Sequence, residues 1–264
     1  MRVKRPVLTL CGWLLAGVMT GCSASSPSPS GVGARPGRPT PLDDPTEGAR
    51  EASASIKGEG AGEWEILFPG DGVPAGWLVR SWNDVSQPAP PGARWVVTDG
   101  VLRGSEPRGT WLLSPGEYED FVLEFEFRLG ERGNSGVGLR IPSSGDPAFA
   151  AVELQLVDPR YYGKGYAAKP DELTGALYKL VAPTEQAFKA GEWNHCVVEC
   201  RGSRITVTLN GTEVLDTDLS ARTGSAWRGP PASERPRRGR IGFQEVSRGG
   251  GNVEIRGARI RVLS

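Results

Sequence analysis

Acidic, basic and amide side chains occur together between residues 140 and 158, in two short segments that alternate between apolar and polar positions. Arg140 takes the polar parity of the first segment, Glu153 and Gln155 share the polar parity of the second, and Asp158 follows at its end. A carboxylate can accept a proton and a guanidinium can stabilise a developing negative charge, so the combination suits acid–base chemistry. If the segments are neighbouring strands, we expect Arg140, Glu153 and Gln155 on one open sheet face.

Glycines accompany these polar positions. Gly136 and Gly138 have the same parity as Arg140, and we expect them to leave room above the sheet for a ligand. The competing interpretation is a face exposed to water that carries an Arg140–Glu153 ion pair. The spacing alone favours neither interpretation.

An ordinary glycosidase receives only weak support from the spacing of the acids. Such enzymes hold two carboxyl groups roughly 5–5.5 Å apart when retaining and about 6.5–9.5 Å apart when inverting. Glu153 and Asp158 have opposite parity, so they approach each other only if a bulge or turn intervenes. Gln155 occupies the position where a second acid on the same face would be expected.

Charge and composition exclude other classes. The 31 Lys and Arg residues balance 31 Asp and Glu residues, so the chain lacks the basic footprint of a duplex nucleic-acid binder, and we expect no nucleic-acid partner. The single histidine, His195, excludes a zinc site with several histidines. No glycine-rich phosphate loop follows a strand and opens a helix, so nucleotide binding is unsupported.

Strands must position these side chains. From Trp64 onward the apolar residues recur with period two between Gly, Pro, Asn and Asp, as in residues 121–129. Asn210–Gly211 predicts a two-residue hairpin turn, and a bulge near Gly257 would reconcile the last two apolar runs. Roughly a dozen short strands and no long helix predict an all-β fold, a two-sheet jelly-roll sandwich.

The first 60 residues predict a targeting segment and a linker. The basic residues Arg2, Lys4 and Arg5 precede an apolar run of 13 residues at 7–19, which is short for a membrane span of roughly 20 residues. Small residues then lead to Cys22, as in a bacterial lipoprotein signal. We predict a signal peptide at 1–21, lipid on Cys22, a flexible Ser/Pro/Gly-rich tether at 22–60 and a folded domain at 61–264.

The expected location follows from that signal. A lipid on Cys22 would anchor the protein in the bacterial cell envelope, and Ser23 at the next position favours the outer membrane by resemblance to other lipoproteins. Plain secretion and an uncleaved membrane anchor are the alternatives.

Eight segments follow one another along the folded part: WVVTDGVL (95–102), YEDF (118–121), NSGVGLR (134–140), ELQLVD (153–158), TGALYKLVAP (174–183), GEWN (191–194), LNG (209–211) and IGFQ (241–244). In this order they resemble the 3-keto-disaccharide hydrolase domain family, also described as 3-keto-glucoside 1,2-lyase or 3-keto-2-hydroxyglucal hydratase. The resemblance covers about residues 63–264. It implies a concanavalin A-like sandwich and a 3-keto-glycoside substrate.

The resemblance also implies a reaction. A ketone at C3 acidifies the proton on C2, a base removes that proton, the enolate expels the C1 substituent, and water adds back to the resulting glucal. On this basis we assign Glu153 as the base, Arg140 as the stabiliser of the enolate, and Asp158 as a third catalytic-site residue. The expected substrate-binding residues are Gln155 and Gln244, which would position hydroxyls, and Tyr178 or Lys179 as a nearby donor.

One departure from the family affects this assignment. The family commonly continues from its Gln into an Asp- or Asn-His-Gly turn, whereas Gln244 is followed here by Glu-Val-Ser at 245–247. If that histidine transfers a proton or binds metal in relatives, the site here is altered. A divalent metal with oxygen ligands could replace or assist Arg140, and the sequence assigns no metal ligand.

Two other functions compete with catalysis. The chain could be a lectin-like carbohydrate-binding module, which the missing histidine favours, or an envelope scaffold that binds another protein. Sugar binders stack pyranose rings on exposed aromatic side chains. The available ones are Trp77, Trp82, Trp111, Tyr161, Tyr162, Tyr166 and Trp227, although most tryptophans are typical of core or sandwich-edge packing.

Overall fold

The computed structural model describes residues 62–249 and 252–264. The predicted signal peptide at 1–21, the lipid on Cys22 and the tether at 22–60 lie outside these residues. No helix in the described part of the chain has the length and apolar character to cross a membrane.

Short strands connected by turns make up nearly all of the regular structure. Residues 62–249 and 252–264 form thirteen strands, several 3-10 turns and one short helix. The strands are β1 (Glu65–Ile66), β2 (Leu78–Ser81), β3 (Trp95–Thr98), β4 (Val101–Gly104), β5 (Thr110–Leu113), β6 (Phe121–Leu129), β7 (Asn134–Ile141), β8 (Val152–Val157), β9 (Asn194–Arg201), β10 (Arg204–Leu209), β11 (Thr212–Asp218), β12 (Arg240–Glu245) and β13 (Val253–Val262), and the helix α1 (Pro147–Ala150) lies between β7 and β8.

These strands form two antiparallel sheets. The larger sheet has the order β11-β10-β9-β6-β13-β4-β3, with β1 also paired to β13. The smaller sheet has the order β2-β5-β12-β7-β8. Because the chain repeatedly crosses from one sheet to the other, strands distant in sequence become neighbours. This arrangement confirms the predicted all-β jelly-roll sandwich.

The hydrophobic core lies between the two sheets. Along β6, the residues of one parity from Phe121 to Leu129 are at most 1% exposed, as the alternation predicts. The smaller sheet contributes Leu154 and Phe243 to the same core, and the rings of Phe125 and Phe243 meet edge to face at 5.9 Å between centroids. Period-two alternation therefore gives each sheet one apolar inner face.

Two of the predicted irregularities are confirmed. Leu209 pairs with Thr212 around Asn210 and Gly211, whose φ angles of 52° and 84° are the positive values that a two-residue hairpin turn requires. The register of β13 against β6 shifts between Arg256 and Arg259, and Gly257 has a φ of 60°. The bulge allows both halves of β13 to direct apolar residues into the core.

Candidate functional site

A cavity of about 530 Å³ lies on the outer face of the smaller sheet. Strands supply its floor, with Asn134 from β7, Glu153 and Gln155 from β8, and Gln244 from β12. Loops, a 3-10 turn and the helix α1 supply its walls. The wall residues are Trp82, Arg108, Gly109, Asp146, Ala148, Phe149, Tyr161, Tyr162, Tyr178, Trp227, Arg228, Val246 and Arg248.

The alternation of β8 places two of the predicted residues in this cavity. Leu154 and its same-parity neighbours pack into the core, so Glu153 and Gln155 face outward. Both are only 3% exposed, because the wall loops cover them. Glu153 and Gln155 therefore share one outward face, as the alternation predicts, but the face is covered and carries no Arg140–Glu153 ion pair.

Glu153 is a buried carboxyl group without a protein partner. Its carboxyl lies directly over Gly136, where an added Cβ would be 1.9 Å from Oε1. No described residue forms a hydrogen bond with this carboxyl group, although the backbone carbonyl of Glu153 accepts one from the N–H of Tyr178 at 2.8 Å. Burial, together with the negative charge of Asp146, raises the pKa of Glu153 well above its usual value. The group therefore holds its proton more tightly than an ordinary carboxyl group and can serve as a proton donor.

The two glycines of β7 make room for protein side chains and not for a ligand. The space over Gly136 is filled by Glu153, and a Cβ on Gly138 would lie 2.4 Å from Cδ1 of Ile141. The expectation that these glycines leave room for a ligand is therefore wrong. They allow protein side chains to pack flat on the sheet, and the cavity lies above those side chains.

Asp146 is a second carboxyl group in the cavity and is not among the site residues predicted from the sequence. It is the N-cap residue of α1, where its Oδ1 accepts the N–H of Ala148 at 3.1 Å. Burial raises its pKa to about 6, against the lowering effects of that hydrogen bond and of Arg228. The sequence Asp-Pro at 146–147 is typical of a helix start and could have located this residue, although not its place in the cavity.

Arg140 does not lie beside Glu153, which corrects the expected placement. Between the pairs Gly138–Gly242 and Ile141–Arg240, β7 uses one residue more than β12, and Arg140 has a φ of 60°. This bulge reverses the side-chain parity, so Arg140 turns away from the cavity and Ile141 takes the outer face.

The guanidinium of Arg140 has structural partners instead. Nε donates to the carbonyl of Glu119 at 2.7 Å, Nη1 to the carbonyl of Gly202 at 2.7 Å, and Nη2 to Oδ1 of Asp120 at 3.1 Å. Its side chain is only 3% exposed. Arg140 therefore links the start of β6 to the turn between β9 and β10.

Asp158 and Lys179 also lie outside the cavity lining. Asp158 is fully buried, caps a 3-10 turn, and accepts hydrogen bonds from the backbone and the guanidinium of Arg160, which lower its pKa. Lys179 forms an ion pair with Glu172, and its Nζ lies 5.3 Å from the ring centroid of Trp227. Lys179 thus contacts the wall residue Trp227 from outside the cavity.

The other predicted binding residues do line the cavity. Nε2 of Gln155 donates to Oδ1 of Asn134 at 3.3 Å, and Gln244 lies 5% exposed on the floor. Burial and the nearby Glu153 raise the pKa of the Tyr178 hydroxyl, which therefore remains a hydrogen-bond donor. Gln155, Gln244 and Tyr178 can bind sugar hydroxyl or carbonyl groups.

The segment that replaces the family's histidine turn has a structural role in this chain. The buried carboxylate of Glu245 accepts the N–H groups of Ser247 at 2.7 Å and Val253 at 2.9 Å, so it holds the ends of the loop after β12. Val246 and Arg248 from this loop line the cavity. His195 is on the larger sheet, where it contacts Oε1 of Glu124 at 3.0 Å.

Aromatic side chains surround the mouth of the cavity. Trp82 and Trp227 are 46% and 65% exposed, and both line it with Tyr161 and Tyr162. Tyr166 stacks on Tyr162 outside the lining. The remaining candidates are packed in the protein: Trp111 is fully buried, and Trp77 packs against Phe68 and Phe243.

Arg235 holds two parts of the wall together. Its buried guanidinium donates to the carbonyls of Ala148 and Ala151 at the two ends of α1, and to the carbonyl of Arg228. It therefore joins the segment that carries Asp146 to the loop that carries Trp227. In residues 62–249 and 252–264, no group of three or more His, Cys, Asp or Glu side chains is arranged to hold a metal ion.

Comparison with known proteins identifies the domain. Two crystal structures from Parabacteroides distasonis ATCC 8503, each called a "putative glycosyl hydrolase", share this fold. The first is 30% identical over 76% of this chain and 100% of its own, with a TM-score of 0.62. The second is 24% identical over 81% of this chain and 97% of its own, with a TM-score of 0.61. No curated protein matches the chain. Residues 63–261 match the 3-keto-alpha-glucoside-1,2-lyase-like domain, and the chain belongs to that family.

Proposed function

We propose that this protein cleaves 3-keto-glycosides by removal of the C2 proton and elimination of the C1 substituent. The observation that carries the proposal is the pair of carboxyl groups in one cavity, Glu153 on the floor with its pKa raised by burial and Asp146 in the wall with a pKa of about 6. Environments that separate the pKa values of two acids assign one as proton donor and the other as base. Membership of the 3-keto-glucoside lyase-like family supports the substrate class.

The pKa directions favour a distribution of roles that differs from the sequence-based one. Asp146 is largely ionised at neutral pH, with a pKa close to the value at which a general base is most effective. It would remove the C2 proton. Glu153, assigned from the sequence as the base, has its pKa raised by burial and would donate a proton to the departing C1 oxygen.

Removal of the C2 proton places negative charge on the C3 ketone oxygen. Breaking the C2–H bond forms a C2=C3 enolate, whose collapse to a C1=C2 double bond breaks the C1–O bond and releases the alcohol. The hydroxyl of Tyr178 would donate to the enolate oxygen in place of Arg140, which faces away from the cavity. Water then adds its hydroxyl to C1 and a proton to C2, so the net reaction is hydrolysis.

Solvent isotope labelling tests this route. The purified chain is incubated with a 3-keto disaccharide in D2O, and the released 3-keto sugar is examined for deuterium at C2. We expect release with deuterium incorporation above the enzyme-free rate, and a loss of about 100-fold or more in Asp146→Asn and Glu153→Gln. The exposed Glu213 provides a matched control, and Glu213→Gln should behave as wild type. Cleavage without C2 labelling would reject the elimination route.

A non-catalytic carbohydrate-binding module is the second candidate. The exposed Trp82 and Trp227 at the mouth of the cavity favour it, because flat aromatic surfaces bind sugar rings. Calorimetric titration with the same 3-keto disaccharide distinguishes the two functions. Binding that is weakened in Trp227→Ala, without any release of free sugar by the wild type, would establish the module.

The location in the cell is a separate proposal, which rests on the sequence up to and including Ser23. We propose lipid attachment at Cys22 and anchoring in the outer membrane of the bacterial envelope. Metabolic labelling with a radioactive fatty acid, followed by membrane fractionation, tests it. Cys22→Ser should lose the label and leave the membrane fraction, whereas an unlabelled wild-type protein would contradict the proposal.

A further inference from the structure

Two arginines line the cavity at the end opposite to Asp146. Asp146 lies just before the start of β8, whereas Arg108 and Arg248 are close to its far end. Asn134 shows that the loop after β12 lies at this far end. It pairs with Val157 of β8, and its carbonyl accepts a hydrogen bond from the N–H of Val246 at 3.1 Å. The carbonyl of Val246 in turn accepts a hydrogen bond from Nη1 of Arg108 at 2.7 Å.

Neutral groups hold these guanidiniums in place. Arg108 is fixed by the carbonyl of Val246, and Arg248 stacks on the ring of Tyr161 with 4.5 Å between its Cζ and the ring centroid. Neither arginine forms an ion pair with any described residue. The nearby carboxylate of Glu106 accepts the backbone N–H of Arg108, not its guanidinium.

Arginines on the larger sheet are arranged differently. Arg256 pairs with Glu126 at 2.7 Å, and Arg103 pairs with Glu254 at 2.6 Å. Their charges are therefore neutralised within the protein. In the cavity, two positive charges are oriented in advance and left uncompensated, which lowers the cost of ordering them around an anion.

We propose that Arg108 and Arg248 bind an anionic group, a carboxylate or a sulfate ester, on the part of the substrate remote from the reacting carbons. The inference rests on the proposed function, because it assigns the substrate class of the same cavity. From Glu153 to Val157, β8 spans about 13 Å, which is room for a second sugar residue beyond the one at the carboxyl pair. The substrate is thus an acidic 3-keto-glycoside.

Binding of unoxidised disaccharides tests this inference independently of turnover. Three probes are titrated calorimetrically into the full chain: glucosyl-glucose, glucosyl-glucuronic acid and glucosyl-glucose 6-sulfate. We expect at least one acidic probe to bind about tenfold more tightly than the neutral one at low salt, with the preference reduced in 0.5 M NaCl. The acid that binds more tightly identifies the group.

Variants assign the preference to the two arginines. Arg108→Gln with Arg248→Gln should reduce the acidic-to-neutral preference to within about twofold. Arg201→Gln, in an exposed residue paired with Glu199, is the matched control and should keep it.

Equal or tighter binding of the neutral probe, no binding of either acidic probe, or a preference that survives in the double variant would overturn the inference. An acidic preference without any cleavage of 3-keto disaccharides would reject only the proposed reaction.

Discussion

The carboxyl group of Glu153 occupies the space that a side chain at Gly136 would need. A Cβ at Gly136 would lie 1.9 Å from Oε1 and 2.7 Å from Cγ of Glu153. The two residues are diagonal neighbours on the adjacent strands β7 and β8, since Gly136 is opposite Gln155 and Gly138 is opposite Glu153. The position of the buried acid therefore depends on the absence of a side chain on the next strand.

Gly136→Ala should displace Glu153 and reduce activity. We expect kcat/KM for a 3-keto disaccharide to fall by at least about tenfold, and the unfolding free energy to fall by about 1–3 kcal/mol from overpacking. Steady-state kinetics and thermal denaturation measure the two effects. Gly70→Ala is the control, because a Cβ there meets no atom within 4 Å. Full activity in Gly136→Ala would mean that the position of Glu153 is unimportant.

The pH dependence of activity should report Asp146. A base with a pKa of about 6 loses activity as the pH falls through that value, so kcat/KM should rise with pH up to about 6 and then level off. Loss of the proton from Glu153 should cause a decline at higher pH. Measurement of kcat/KM between pH 4.5 and about 9 tests this. Asp216→Asn, on an exposed pair with Arg204, should leave the profile unchanged. A flat profile across pH 6 would contradict the role of Asp146.

Protein stability should also depend on the proton of Glu153. The folded state keeps this proton above 4.5, where the unfolded chain releases it, so the free energy of unfolding falls as the pH rises from about 4.5 toward the raised pKa. Glu153→Gln cannot titrate. Relative to wild type, it should therefore gain at least about 1 kcal/mol between pH 5 and pH 8 in urea denaturation. An identical pH slope in both proteins would mean that Glu153 is ionised in the folded state.

Replacement of Arg140 should primarily affect stability. Arg140→Lys cannot reproduce the three hydrogen bonds to Glu119, Gly202 and Asp120, and should cost about 3 kcal/mol. The melting temperature should consequently fall by several degrees. Arg201→Lys, at an exposed site, provides the control. An unchanged melting temperature with abolished turnover would place Arg140 back among the catalytic residues.

Local patterns in the sequence were enough to predict the sandwich and part of its cavity. The alternation in 121–129 and 152–157 identified which side chains face the core, and it placed Glu153 and Gln155 together correctly. The turn at Asn210–Gly211 and the bulge at Gly257 could be predicted from the sequence, because positive φ angles strongly favour glycine and asparagine.

Side-chain parity gave a wrong prediction in β7, where a bulge interrupts the alternation and no glycine marks its position in the sequence. Arg140 adopts a φ of 60°, and the resulting bulge turns its side chain out of the cavity that parity assigned to it. Asp158 and Lys179 were plausible site residues from their types, yet each is neutralised by a nearby partner, Arg160 or Glu172. Such pairings depend on side-chain directions in turns, which have no fixed period.

The sequence by itself determined the fold class and the outward direction of the polar residues on β8, because the pleat of an extended chain separates alternate side chains. The tertiary structure alone decided what surrounds them. It brought Asp146, Arg108 and Arg248 into one cavity from three separate loops, and it buried Glu153 deeply enough to raise its pKa. Desolvation and long-range charge depend on distance in space, which the order of residues along the chain does not specify.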